Sequence, residues 1–155
     1  MISATHFHAM AVHFPIALLM AGFLSELIGL FIKKTFFRQA AFYLLILGAL
    51  GSIVSYLAGK VAGDGMLKGT LGQATQLHEQ AATFALALTV ITAIFYLGIF
   101  ITKFSKSWVR IACIVLFAGA VSAIARTGYL AGQLVYKHGA GVELALPDFS
   151  NPGVE

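Results

Sequence analysis

The sequence predicts an all-α integral membrane protein whose four helices cross the bilayer up-down-up-down as one bundle. Only 10% of the residues are charged, 59% are apolar and the mean hydropathy is +0.90. Soluble chains carry about 25% charged residues, so this chain has too little charge to cover a water-exposed surface. A length of 155 residues indicates one compact unit.

Four segments are long and apolar enough to cross a bilayer, which takes about 20 mostly apolar residues. We expect residues 1–138 to form the transmembrane domain. Residues 139–155 include two prolines and show no helical period, so we expect an extracytoplasmic tail. The predicted spans are about 9–32, 40–59, 81–102 and 109–136.

The charged residues of the connectors predict the orientation. Basic short loops stay on the cytoplasmic side, so we expect both termini and the middle connector to face outward, into a periplasm or its equivalent. The net charge of +4 then reflects orientation, and no basic patch with interleaved aromatic residues indicates a nucleic-acid partner. The first and third connectors hold Lys33, Lys34, Arg38, Lys103, Lys106 and Arg110, whereas the opposite side holds Asp64, Glu79, Glu143, Asp148 and Glu155 with Lys60, Lys68 and Lys137.

All five histidines fall on this predicted outer side. Imidazole is the commonest metal ligand and an axial ligand of haem iron, and helix bundles hold cofactors between facing helices. The alternative is that each is an interfacial histidine without a ligand. The leading candidate ligands are His13, His78 and His138, with His8 next, while His6 sits in a terminus that we expect to fray.

The first helix carries two of these candidates on different faces. His8 and His13 project ~140° apart on a helix, so we do not expect them to bind one small metal ion together. Pro15 lacks a backbone N–H and is expected to bend or begin the helix beside His13. Tyr136 lies two residues before His138 and is a candidate both for the site and for an interfacial belt.

Two ionisable residues are predicted to lie deep in the bilayer. Glu26 and Arg126 lie 13 residues after His13 and 12 before His138, which places both ~18–20 Å below the histidines. Charges at such depth usually pair or line a functional cavity, so we predict a Glu26–Arg126 ion pair. Alternatively, Arg126 binds a cofactor carboxylate or a quinone oxygen.

Small residues recur at helical spacing in two of the spans. Such patterns allow helices to approach closely in lipid, and they can also make room for a flat macrocycle. We take close packing as the default interpretation. The small residues are Gly48, Ser52, Ser55 and Gly59 in the second span and Gly128 and Gly132 in the fourth.

Two strings resemble a known family. HAMAVHFPIAL at residues 8–18 and TGYLAGQLVYKHGAGV at residues 127–142, with His78-Glu79 between them, resemble the bacterial membrane family DUF2231 over nearly the whole chain. The family usually has a proline where this chain has Ala9, and two adjacent glycines where it has Ala131-Gly132. Relatives joined to Rieske-type or cytochrome c-type domains imply redox work at the outer face of a bacterial inner membrane.

The resulting hypothesis is a membrane-embedded b-type haem protein that exchanges electrons with a quinol or with a periplasmic cytochrome or redox domain. The absence of a CxxCH string excludes covalent haem attachment within these residues. Non-haem copper, zinc or iron is an alternative, as are a small channel and a cofactor-free structural subunit. A second copy of the chain is a further candidate partner. With no hydrolase or nucleotide motif, an electron carrier is favoured over an enzyme.

Overall fold

The computed structural model describes residues 3–32, 34–64, 69–104 and 106–142. Within these ranges the chain forms four α-helices and no strand, which confirms the all-α prediction. The expected tail beyond Val142 lies outside the described residues, as do Lys33 and Lys68. The helices are α1 (Ala4–Phe31), α2 (Thr35–Gly63), α3 (Gly69–Thr102) and α4 (Ser107–His138).

A serine caps the start of the first helix and a glycine ends the last one. The Ser3 hydroxyl oxygen caps α1 by accepting a hydrogen bond from the His6 backbone N–H at 3.2 Å. Gly139 ends α4 with a φ of 66°, a left-handed conformation that glycine adopts without strain. The backbone N–H of Ala140 then donates to the Leu134 carbonyl at 3.0 Å, which satisfies an otherwise free helix-end acceptor.

The helices pack as two hairpins. α1 lies closely against α2 and α3 against α4, whereas the hairpins meet mainly through α2 and α3. Gly48 permits the close approach of α1, since a Cβ there would lie 2.6 Å from Leu19 Cγ. The core lies in the middle of the bundle and contains Leu19, Leu45, Ala49, Ala93 and Phe117.

The outer surface of the bundle is apolar. Phe14 is 73% exposed, and Phe31, Trp108 and Tyr136 are also highly exposed. All four helices are long and apolar enough to cross a membrane. Helices of 28 to 34 residues are about 42–51 Å long, longer than a hydrocarbon core of about 30 Å. The apolar surface is therefore matched to lipid, and the chain is a multi-pass membrane protein.

The bundle has two chemically different ends. We call the end that contains the start of α1, the end of α2, the start of α3 and the end of α4 the histidine end. The opposite end, with Lys34, Arg38, Lys103, Lys106 and Arg110, is the basic end. The polar start of α3, residues 69–80, precedes its predicted span of 81–102 by about three helical turns.

Candidate functional site

His8 lies between the two helices of the first hairpin. Its half-buried imidazole Nδ1 is 2.9 Å from the Ser55 backbone carbonyl of α2. The ring packs directly against Gly59, where a Cβ would come within 2.8 Å of the His8 Cε1 atom. A side chain at position 59 would thus collide with the ring. The glycine that marks close helix packing in the sequence also makes room for an imidazole.

His78 occupies the corresponding place in the second hairpin. Its half-buried Nδ1 is 3.2 Å from the Thr127 backbone carbonyl of α4. His78 precedes the apolar span of α3. His8 on α1 and His78 on α3 thus belong to different hairpins, and both lie at the histidine end of the bundle.

The carbonyl contacts define which ring nitrogen is available. A carbonyl oxygen can only accept a hydrogen bond, so Nδ1 of His8 and of His78 must be the donor. In a neutral imidazole the other nitrogen, Nε2, then carries the lone pair. A histidine that binds a metal through one ring nitrogen often donates the N–H of its other ring nitrogen to a carbonyl, which fixes the ring orientation. In each ring, Nε2 is therefore the nitrogen that keeps a lone pair.

Small side chains surround this level of the bundle. Apart from Leu134, most buried residues near the histidine end are small, whereas Leu19, Leu45 and Phe117 fill the centre. The Ser55 hydroxyl is buried and, in the part of the chain that the structure describes, has no hydrogen-bond partner. The interior beside His8 thus combines little side-chain volume with an unused polar atom. The small buried residues are Ser55, Gly72, Thr75, Ala81 and Ala85.

The other histidines and Tyr136 are exposed. His13 is exposed, and its Nδ1 donates to the Ala9 carbonyl at 2.6 Å within α1. His138 is exposed at the last position of α4, and Tyr136 is 91% exposed. His6 is exposed in the first turn of α1, where its Nδ1 is 3.0 Å from the Ser3 hydroxyl. The structure partly buries His8 and His78, each against a neighbouring helix, but leaves His13 and His138 exposed.

The predicted Glu26–Arg126 ion pair is wrong. Glu26 is 4% exposed and lies near Arg110 and Arg38, towards the basic end. Arg126 is exposed and lies next to Thr127, at the level of His78. Among the described residues, the one ion pair within 4.0 Å joins Lys60 to Glu79.

The error came from the assumption that His13 and His138 lie at the same depth. His138 is the last residue of α4, whereas His13 is already more than two turns inside α1. Counting inward from the two histidines therefore gave different depths for Glu26 and Arg126. Pro15 also lies inside α1 and does not begin it, because the helix already starts at Ala4.

The acidic residues of the histidine end do not complete a metal site. Glu79 is next to His78, but its carboxylate pairs with the Lys60 ammonium group across α2 and α3. Within the described ranges, no group of three or more His, Cys, Asp or Glu side chains is placed to hold a metal ion. This part of the chain offers a pair of imidazoles without a third ligand.

Fold and site together define a four-helix integral membrane protein with a histidine pair near one end of the bundle. Residues 4–144 match DUF2231, a family described as "predicted membrane protein", and the chain belongs to this family. The match confirms the resemblance seen in the two sequence strings. No curated protein and no solved structure matches the chain.

Sequence reasoning missed the atoms that orient the histidine pair. Both partners, on Ser55 and Thr127, are backbone carbonyls, which have no residue-type signature. Gly59 did carry a signal as part of a small-residue pattern. By contrast, a Cβ at Gly128 or Gly132 would meet nothing within 4 Å, so these two do not provide the expected close packing within the chain.

Proposed function

We propose that this protein is a membrane-embedded b-type haem protein that transfers electrons, in which the imidazoles of His8 and His78 would hold the haem iron. The observation that carries the proposal is the matched pair of half-buried imidazoles, each donating Nδ1–H to a carbonyl of the neighbouring helix. One ring belongs to each hairpin. A bundle can then present two Nε2 atoms to a group held between its helices.

The donor set favours haem over a bare metal ion. Structural zinc sites use four protein ligands and catalytic ones use three, but the described residues offer no such cluster. A haem iron takes few ligands from the protein, so two imidazoles would be enough to hold it. When bound, haem would supply reversible one-electron transfer between ferric and ferrous iron. With both His8 and His78 holding the iron, the site would favour an electron carrier over an enzyme.

The chain's own residues would bind and orient the macrocycle. Gly59 makes room for the His8 ring itself, and the buried Ser55 hydroxyl lies one turn earlier on the same helix. Arg126 is exposed one residue before Thr127, so its guanidinium is available to a haem propionate at the level of His78. This assignment retains one alternative predicted for Arg126, the binding of a cofactor carboxylate.

The orientation and the partners form part of the same proposal. The basic end, with Lys34, Arg38 and Arg110, follows the rule that places basic loops in the cytoplasm. The histidine pair would then lie near the periplasmic face of a bacterial inner membrane. Electrons would pass between this site and a membrane quinol or a periplasmic redox domain, and a second copy of the chain is a further candidate partner.

The test is the absorption spectrum of four single variants of the purified protein, expressed with a haem supply and assayed for the pyridine haemochrome. His8→Ala and His78→Ala should lose the Soret band or change it to that of a high-spin species. His13→Ala and His138→Ala are matched controls with exposed rings, and they should retain the wild-type spectrum.

Four outcomes contradict the proposal. Loss of the spectrum in the control variants alone would assign the ligands elsewhere. A wild-type protein without a Soret band, even after titration with ferric haem, would exclude haem. Copper, zinc or iron found without haem by metal analysis would support the non-haem alternative, and a protein without any of these would support a cofactor-free subunit.

A further inference from the structure

A cavity lined by three cationic residues lies at the basic end of the bundle, far from the histidine pair. It has a volume of about 250 Å³ and lies where α1 ends and where α2 and α4 begin. Its wall combines backbone, apolar and cationic groups. The lining residues are Gly29, Leu30, Lys34, Thr35, Arg38 and Arg110.

The cavity has an excess of positive charge. Lys34 and Arg38 are exposed, while Arg110 is half-buried and donates from Nη2 to the Gly29 carbonyl at 3.2 Å. The Arg110 Nε atom is buried and, among the described residues, has no hydrogen-bond partner. Glu26 is the acidic residue near Arg110 and Arg38. One carboxylate against three cations leaves the cavity net positive.

The helix start at this cavity adds further hydrogen-bond donors. Lys34 is the N-cap of α2, its side chain makes no capping hydrogen bond, and the first turn contains no acidic residue. The first N–H groups of a helix have no intrahelical partner and carry partial positive charge. Cations at this position are unfavourable unless an anion lies beside them. A bound anion would therefore stabilise both the first N–H groups of α2 and the cationic side chains of the cavity.

We propose that this cavity binds the phosphate of an anionic phospholipid headgroup. Three cations and free helix N–H groups are the donors that a phosphate requires. The neighbouring surface is apolar, since Phe31 is 85% exposed and Phe36 is 67% exposed. A lipid would place its phosphate among the cations and its acyl chains on these rings. A free phosphate ion would leave the apolar surface unused, so the lipid is the favoured source.

The test is native mass spectrometry of the full chain in detergent, titrated with phosphatidylglycerol or with phosphatidylcholine. The variants are Lys34→Gln, Arg38→Gln and Arg110→Gln. Each removed cation should weaken phosphatidylglycerol binding about fivefold. The matched control is Lys103→Gln, which removes a positive charge at the same end but outside the cavity.

The control variant, the second lipid and competition by inorganic phosphate distinguish this site from a general attraction of anionic lipids to the basic end. Lys103→Gln should bind phosphatidylglycerol within twofold of the wild-type affinity. An equal loss in all four variants would overturn the proposal, as would equal affinity for both lipids. Displacement of the lipid by a moderate excess of inorganic phosphate would overturn a lipid headgroup as the ligand. Lys34→Gln changes an exposed side chain in a connector, so it tests the site even where Arg110→Gln impairs folding.

Discussion

The packing of His8 on Gly59 makes a sharp prediction about Gly59→Ala. The new Cβ would lie 2.8 Å from His8 Cε1 and 3.1 Å from Nδ1, both closer than carbon and nitrogen atoms normally approach. The ring would have to move, because the Cβ is fixed to the backbone of α2. We therefore expect the hydrogen bond from His8 Nδ1 to the Ser55 carbonyl to break.

The expected change in the free energy of unfolding is small. Loss of one hydrogen bond costs about 0.5–1.5 kcal/mol, while alanine is favoured over glycine within a helix by about 1 kcal/mol. These two effects nearly cancel, so the free energy of unfolding of Gly59→Ala should lie within about 1 kcal/mol of the wild-type value. A stability measurement alone would miss the change at His8.

A measurement of the ring nitrogens should detect that change. In ¹⁵N NMR spectra of histidine-labelled protein, the His8 Nδ1–H signal should lose its hydrogen-bonded shift. If the proposed function is correct, haem affinity should also fall at least tenfold. The matched control is Gly63→Ala, one turn further along α2, where the nearest atom to a Cβ is Thr75 Cγ2 at an ordinary 3.7 Å. An unchanged His8 signal in Gly59→Ala would refute the reasoning.

Two further substitutions test the packing of the bundle. Gly48→Ala places a Cβ 2.6 Å from Leu19 Cγ and should destabilise the α1–α2 hairpin by about 1–3 kcal/mol. The free energy of unfolding is measured in mixed micelles. The control is Gly51→Ala, which should be nearly neutral because the nearest contact of its Cβ is 3.4 Å. Phe117→Ala empties a fully buried position and should cost about 3–5 kcal/mol, whereas Phe14→Ala, 73% exposed, should cost much less in the same assay. Equal effects within either pair would contradict the packing described here.

The sequence predicted the bundle well because each span carries its own signal. Apolar length defines a membrane helix locally, without reference to any other part of the chain. The four helices accordingly overlap the four predicted spans and extend beyond them, most of all α3, which begins at Gly69 where the predicted span begins at residue 81. The small residues Gly48 and Gly59 also predicted close packing, which both now show against side chains of α1.

The histidine pair was harder to predict because it depends on the relative depth of distant helices. His8 and His13 project from different faces of α1, and the sequence does not state which face meets α2. Pro15 lies close to His13 in sequence and therefore favoured that exposed ring as a candidate ligand. The glycine that accommodates the His8 ring lies on another helix, so the sequence near His8 carries no such signal. The same uncertainty in depth produced the incorrect Glu26–Arg126 pair.

The arrangement of the hairpins also bears on how the proposed site would assemble. Each hairpin carries one imidazole of the His8–His78 pair and orients it through a carbonyl of its own, so neither of these rings needs the other hairpin for its orientation. The hairpins meet mainly through α2 and α3, where Lys60 pairs with Glu79 and Tyr56 Oη lies 3.0 Å from Thr83 Oγ1. A group bound by both rings would therefore stabilise the contact between hairpins by mass action. Because the rings are already oriented, binding would cost little side-chain entropy. Its main entropic cost would come from fixing one hairpin relative to the other.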